Sequence, residues 1–467
     1  MKDSSTDLRS FLLLLQSEGE LAHVKRAVDP EYELAAVTAK LDDKQAVLFE
    51  KVKGSECKLA CNVVATPRRF FLAISGGGGG GGRQKANQVS IKKAIHARVT
   101  EALNNLSEPA NDQDDAPFER NSSRNLYDLP IVTHFEKDAG PFVTSSIVFA
   151  KEQEKGRQNQ STHRLLRLDD RHMAIRMVEG RHLYKCFTYA QEHGEDLKVT
   201  ITIGVHPAVS IAAAYQAAYG VDEMLIANSL LEGKLTLTKT IYSQLYVPKH
   251  AEIVLEGRII KDRTEEEWMV EMLRTYDFKR RQPVFELERI MFRDNAIYHD
   301  ILPGYAEHRL LMSLPVEAKM FDSIRNVVPT TQSVHLTDGG SNWLTAVIQI
   351  KKRLEGEPKN ALLAAFTAHP SLKMATVVDD DINPTDPNAV EYALATRCQA
   401  DRDFLIIPNA KGSSLDPSSD QEKLLTTKVG IDATATIFKP KERFEIAKIP
   451  GQEKIQLSDY LYNRTRE

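Results

Sequence analysis

The sequence predicts a mixed α/β protein built in three parts. Three observations carry this. The first quarter alternates amphipathic helices with short buried strands. The middle, from about Ile131 to Gln282, is rich in β-branched runs. The last third returns to strand, helix and strand in succession, the pattern of a parallel sheet covered by helices. A chain of 467 residues is too long for one small core, so two or three domains are expected. The composition shifts place the boundaries at 1–125, 126–310 and 311–467.

The elements follow in order. Asp7 to Glu18 reads as a helix, with its apolar residues on one face and Gly19 as its stop. Glu31 to Leu41 reads as a second helix, and Ala46-Val-Leu-Phe-Glu50 as a short buried strand. Gly76 to Gly82 is a run of seven glycines. A phosphate-gripping loop mixes glycines with positioned side chains, so this run reads as a linker. Phe142 to Ala150, Lys198 to Gly204 and Ala251 to Glu256 are strands by β-branched content. Ala208 to Tyr219 is a helix of small residues. Asn342 to Leu354 and Asn360 to His369 read as helices. Met374 to Val378 and Phe404 to Pro408 read as buried strands.

Composition removes several function classes. A hydrophobic content of 42% with 27% charged residues fits a globular protein. The net charge of −4 gives no basic footprint for nucleic acid. No stretch approaches the roughly 20 apolar residues of a membrane-spanning helix. The first residues lack a signal-peptide core, so a cytoplasmic location is expected. The four cysteines, Cys57, Cys61, Cys186 and Cys398, are too scattered for a disulfide framework or a zinc site and read as packing residues.

Six residues suggest one site: Asn159, Arg164, His182, Glu223, Glu266 and Glu271. An Asn carbonyl, an imidazole and a carboxylate can share a hard octahedral ion with a phosphate and water. An Arg with two carboxylates suits binding an acid and moving one proton. Taken singly, each of these side chains is more often structural than functional. Order and spacing select them.

The run Asn159-Gln-Ser-Thr-His-Arg164, then Gly180-Arg-His182-Leu, then Tyr219-Gly-Val-Asp-Glu223, resembles the UbiD family of decarboxylases. So do Leu302-Pro-Gly-Tyr-Ala-Glu-His308, Val378-Asp-Asp-Asp-Ile-Asn-Pro and Lys428-Val-Gly-Ile-Asp-Ala-Thr434. The resemblance implies an N-terminal α/β segment, a flavin-reductase-like split β-barrel and a C-terminal α/β oligomerisation domain. It implies prenylated FMN as cofactor, with Mn2+ (or Mg2+) bound by Asn159, His182 and Glu223, and K+ nearby. Ser161, Thr162, His163, Arg164, Arg181 and Lys428 fall at cofactor-contacting positions. Arg164 would hold the substrate carboxylate, Glu271 would deliver a proton, and Glu266 would tune both. A flavin prenyltransferase would supply the cofactor, and the enzyme would be a homodimer or homohexamer. Segments such as Glu20-Leu-Ala-His-Val-Lys and Ala410-Lys-Gly-Ser-Ser resemble an archaeal-type branch associated with anhydromevalonate phosphate.

One segment departs from the family. Where the pattern is Glu-Gly-Pro-Phe-x-Asp/Glu, this chain has Glu266-Glu-Trp-Met-Val-Glu271, and Arg274 stands where a glycine is usual. Thr264 and Glu267 form a capping-box signature, and Trp268, Met272, Leu273 and Tyr276 follow at helical spacing. Read locally, residues 264 to 276 are a helix with solvated acids. That reading makes the chain a non-catalytic paralogue or a carboxylase-complex subunit.

Overall fold

The computed structural model describes residues 6–75, 88–152, 156–215, 221–447 and 449–460. The glycine run Gly76–Gly82 lies outside them.

The N-terminal helix spans Leu8–Ser17, and Asp7 caps it by accepting the Ser10 amide hydrogen. Leu8, Phe11, Leu12 and Leu15 form its buried face. Beside it lies a mixed four-stranded sheet of Leu21–Val24, Ala46–Phe49, Lys58–Cys61 and Ile297–His299. Its last strand arrives from far along the chain and pairs in parallel with Lys58–Cys61. The middle of the chain therefore leaves and re-enters the first sheet.

Six antiparallel strands close the central barrel. Their order around it is Ile253–Glu267, Leu197–Ile203, Phe142–Glu152, Arg157–Arg167, His172–Ile175 and Arg280–Phe292, and the first pairs with the last. Val148, Ala150, Leu165, Ile201, Leu255 and Phe285 belong to one buried core with residues of the first sheet. Helices His182–Glu192, Pro207–Ala214 and Glu223–Leu230 lie against the barrel strands. The expected helix Ala208–Tyr219 thus ends its described part at Ala214.

Helix Ala306–Val327 leads to a five-stranded sheet. Thr345–Ile350, Met374–Asp379 and Leu425–Ala433 run parallel at its centre, with Thr331–Leu336 and Phe404–Lys411 antiparallel at its edges. One expectation is overturned here. Asn342 to Leu354 is no helix, because Thr345–Ile350 is a strand paired on both sides. A short apolar run fits both periods, and pairing on two edges decides it.

The four cysteines are free thiols, three of them buried. No helix among the described residues is long and apolar enough to cross a membrane.

Candidate active site

Strand Arg157–Arg167 carries Asn159 at one end and Arg164 near the other. Asn159 lies opposite Ala150 in the neighbouring strand. Two helices begin beside it. One starts at His182, with the exposed Arg181 as its N-cap. The other starts at Glu223, capped by Asp222, whose side chain accepts the Met224 amide hydrogen. Helix N-termini present unpaired N–H groups and positive dipole ends, which suit an anion.

The Asn159 amide nitrogen lies 3.0 Å from His182 Nδ1 and 3.3 and 3.4 Å from the two Glu223 oxygens. The Gln160 backbone N–H donates to Glu223 Oε2 at 3.3 Å. His182 Nδ1 and Glu223 Oε1 are 3.9 Å apart. Burial pushes the Glu223 carboxyl up to about 7, against its backbone hydrogen bonds. An open cleft adjoins Asn159 and His182, lined also by Glu152, Arg157 and Asp222.

A metal with phosphate fits this donor set. Asn159 Oδ1 is buried and, among the described residues, has no hydrogen-bond partner. Rotating the amide half a turn exchanges its oxygen and nitrogen, which places a carbonyl oxygen beside the imidazole and carboxylate. Among the described residues, no three His, Cys, Asp or Glu side chains converge to hold a metal alone. The Asn oxygen and an incoming phosphate would complete such a site.

The second cluster surrounds Arg164. Its Nε and Nη2 donate to Glu267 Oε2 and Oε1 at 3.0 and 2.9 Å, a two-pronged pair. Nη2 also donates to Asp277 Oδ2 at 3.1 Å, and Nη1 donates to Glu271 Oε1. Burial opposes the Arg164 charge, but Glu271, Glu267 and Asp277 outweigh it and hold the guanidinium above its ordinary pKa. Burial also works against the Asp277 charge, yet Arg280 and Arg164 keep its pKa below the usual value.

The acidic segment is not the helix that local spacing suggests. Strand Ile253–Glu267 runs through it, with Glu266 opposite Arg281 and Glu267 opposite Arg280. Thr264, read as a cap, instead accepts from Arg281 across the strands. Beyond the strand, the chain makes a tight turn: the Glu271 N–H donates to Thr275 O and the Arg274 N–H to Glu271 O. Arg274 sits there at φ 60°, in the left-handed region where glycine is the unstrained residue. Gly304 lies against this turn, and a Cβ on it would meet Glu271 O at 2.9 Å. Trp268 Nε1 donates to Lys137 O, and the Val270 N–H donates to Asp138, so the segment is fastened to the loop before the barrel.

One assignment is corrected outright. Glu266 was expected to tune Arg164, but it is exposed, while Glu267 is fully buried and holds the guanidinium. Neighbouring strand residues point to opposite faces. The strand slips register between Ile260 and Thr264, where three extra residues intervene, and this bulge sets which acid faces inward.

The remaining expected cofactor contacts divide. Ser161 Oγ lies 2.9 Å from His163 Nε2, and His163 Nδ1 lies 2.8 Å from Arg176 O. Burial pushes His163 down to about 4, so the ring is neutral. Thr162 is exposed on the same strand. Lys428 is buried in the C-terminal sheet and donates to Pro370 O and Leu372 O, away from both clusters' contacts. Glu267 and Asp277 were missed as members of the site. Their only sequence signal was membership of the acidic segment itself.

Comparison with known proteins agrees with this architecture. Three family models match residues 12–78, 109–306 and 309–433. They describe the N-terminal, Rift-related and C-terminal domains of 3-octaprenyl-4-hydroxybenzoate carboxy-lyase, UbiD. The chain is 47% identical over 328 residues to anhydromevalonate phosphate decarboxylase of Methanocaldococcus jannaschii, covering 70% of this chain and 77% of that protein. It is 38% identical over 431 residues to the same enzyme of Methanothermobacter thermautotrophicus, covering 92% and 97%. Among solved structures, the UbiD-class enzyme HmfF from Pelotomaculum thermopropionicum in complex with FMN superposes with a TM-score of 0.91 at 38% identity, covering 97% of this chain and all of that one. Vanillic acid decarboxylase of Sedimentibacter hydroxybenzoicus in its open form gives 0.84 at 26% identity, covering 96% and 97%. A closed six-stranded barrel between two α/β layers, matched over nearly its whole length, places this chain in the UbiD family of carboxy-lyases.

Proposed function

We propose that the protein decarboxylates an α,β-unsaturated or aromatic carboxylic acid without net oxidation, using prenylated FMN and a divalent ion. Anhydromevalonate phosphate is the first substrate to test, since relatives at 37–47% identity carry that name. The observation that carries this reading is Arg164, a buried guanidinium whose terminal nitrogens meet Glu271 and Asp277.

In this reading Asn159, His182 and Glu223 would hold Mn2+ or Mg2+ against the flavin phosphate, with K+ close by. The two helix N-termini add to that phosphate site. Losing CO2 from an unsaturated carbon leaves a carbanion that no side chain can stabilise, and prenylated flavin supplies the electron sink. Arg164 pairs with the substrate carboxylate through parallel N–H groups, which fixes its orientation. Glu271 protonates the carbon that loses CO2. The sum is RCO2− + H+ → RH + CO2, and the same residues serve the reverse reaction. Arg164 and Asn159 lie on one strand, so one element would carry both a holder of the cofactor's phosphate and the partner of the substrate carboxylate.

The test begins with protein produced alongside a flavin prenyltransferase. Released cofactor should show the mass and absorbance of prenylated FMN, and elemental analysis should find one divalent ion per chain. CO2 release is then measured for anhydromevalonate phosphate beside aromatic and heteroaromatic acids. Protein that binds no flavin and releases no CO2 from any of them rejects the reading. Light scattering decides between homodimer and homohexamer.

A further inference from the structure

The ion pairs around Arg164 leave it little capacity for a new partner. Guanidinium has five N–H donors. Glu267 takes the Nε hydrogen and one on Nη2, Asp277 takes the other on Nη2, and Glu271 takes one on Nη1. A substrate carboxylate needs two parallel N–H groups. The Nε edge is closed by Glu267, which is fully buried. Only the Nη1–Nη2 edge is left, and there Glu271 and Asp277 hold one nitrogen each.

The charges of this group are balanced. Arg164, Arg176 and Arg280 face Glu267, Glu271 and Asp277. Arg176 Nε lies 3.9 Å from Glu267 Oε1, and Arg280 Nη2 lies 2.8 Å from Asp277 Oδ1. Among the described residues, the surrounding groups supply no spare cation in contact. Asp138, from the loop before the barrel, accepts backbone N–H groups of Phe135 and Val270. His308, on helix Ala306–Val327, is held toward its neutral form by burial. Arg274 stacks on Tyr305. An arriving carboxylate would therefore leave a buried site one negative charge in excess, which is costly in low dielectric.

We infer that Glu271 and Asp277 stand in for the substrate carboxylate on Arg164, and that substrate entry displaces them and loads one solvent proton onto Glu271. This rests on the decarboxylase reading above. Asp277 keeps its charge on displacement because Arg280 and the Phe278 N–H still hold it. Among the described residues, Glu271 keeps only the Met272 N–H at 3.2 Å, and its side chain is 21% exposed, open to a proton from solvent. The stoichiometry closes. One proton enters with RCO2−, passes from the Glu271 carboxyl to carbon, and leaves in RH as CO2 departs. Glu271 then returns to Arg164 as a carboxylate. Asp277 is thus a positioning residue that no family motif quoted above assigns.

The test is calorimetric titration of FMN-loaded protein with anhydromevalonate phosphate at pH 8, where the phosphate monoester is fully ionised. Running it in phosphate and in Tris separates proton exchange from binding heat. The wild type should take up about one proton per acid bound, and its affinity should fall about tenfold per pH unit above pH 8. Glu271→Gln should bind the acid with no proton uptake. Asp277→Asn, which removes the excess charge another way, should also bind without uptake. Both should retain FMN absorbance. Binding by the wild type without proton uptake, or full uptake in Asp277→Asn or a cofactor-retaining Glu271→Gln, overturns the inference. Failure of the wild type to bind this or any aromatic acid removes the decarboxylase reading, and the inference with it.

Discussion

The Asn159–His182–Glu223 cluster and the Arg164 cluster share one strand but differ in how complete they are. In the first, contacts run from 3.0 to 3.9 Å, Asn159 Oδ1 has no partner among the described residues, and Glu223 is a buried carboxyl raised to about 7. In the second, three carboxylates occupy one guanidinium, and Arg176 and Arg280 balance the remaining charge. In the first, the Asn159 oxygen is open to a ligand. The second satisfies itself and must be opened. An unmet buried polar group costs more than a met one gains, so under the proposed function the first cluster would bind by deficiency and the second by exchange.

Substitutions should separate the two. The largest expected effect is at Glu271. Glu271→Gln should lower decarboxylation about 10²–10⁴-fold, the range of a lost general acid, while flavin and metal stay bound. Loss of flavin in that variant would merge the clusters into one function. His182→Ala should do the reverse and empty the flavin and metal site, read by absorbance and elemental analysis. Arg164→Lys should keep cofactor but slow turnover about 10²-fold, since an ammonium cannot make the planar fork. Near-normal turnover would remove Arg164 from substrate binding.

Stability supplies a sharper contrast. Glu267→Gln removes the fully buried carboxylate opposite Arg164 and should cost about 3–5 kcal/mol in denaturant titration. Its neighbour Glu266 is exposed, and Glu266→Gln should change stability by less than about 0.5 kcal/mol and leave turnover intact. Equal effects at the two positions would mean the strand register is wrong.

The smallest expected effect is a pH dependence from His163. Its folded value is about 4 against an ordinary 6.5. Between these values the unfolded chain binds more protons, so stability falls as pH drops from 6.5 to 4. The loss should be on the order of 1–3 kcal/mol, and His163→Asn should flatten it. An unchanged acid limb in the variant would show that His163 is charged when folded.

Much of the architecture follows from local chemistry. Asp7 caps the first helix, whose start and apolar face are legible in the sequence. The strands Phe142–Glu152, Leu197–Ile203 and Met374–Asp379 follow from β-branched content. Motif order identified the family and brought Asn159, His182 and Glu223 into one group, which the fold places within hydrogen-bonding range of one another or nearly so.

Tertiary structure alone decided three things. Residues 264 to 276 carry a helical signature but lie in a strand and turn, because Arg281 and the loop at Lys137–Asp138 offer hydrogen bonds that a helix would forfeit. Glu267 rather than Glu266 reaches Arg164, because a bulge resets which side of the strand each acid occupies. Ile297–His299 joins a sheet begun over two hundred residues earlier. The common reason is that sequence carries the period of an element, while its phase is set by partner strands distant in the chain.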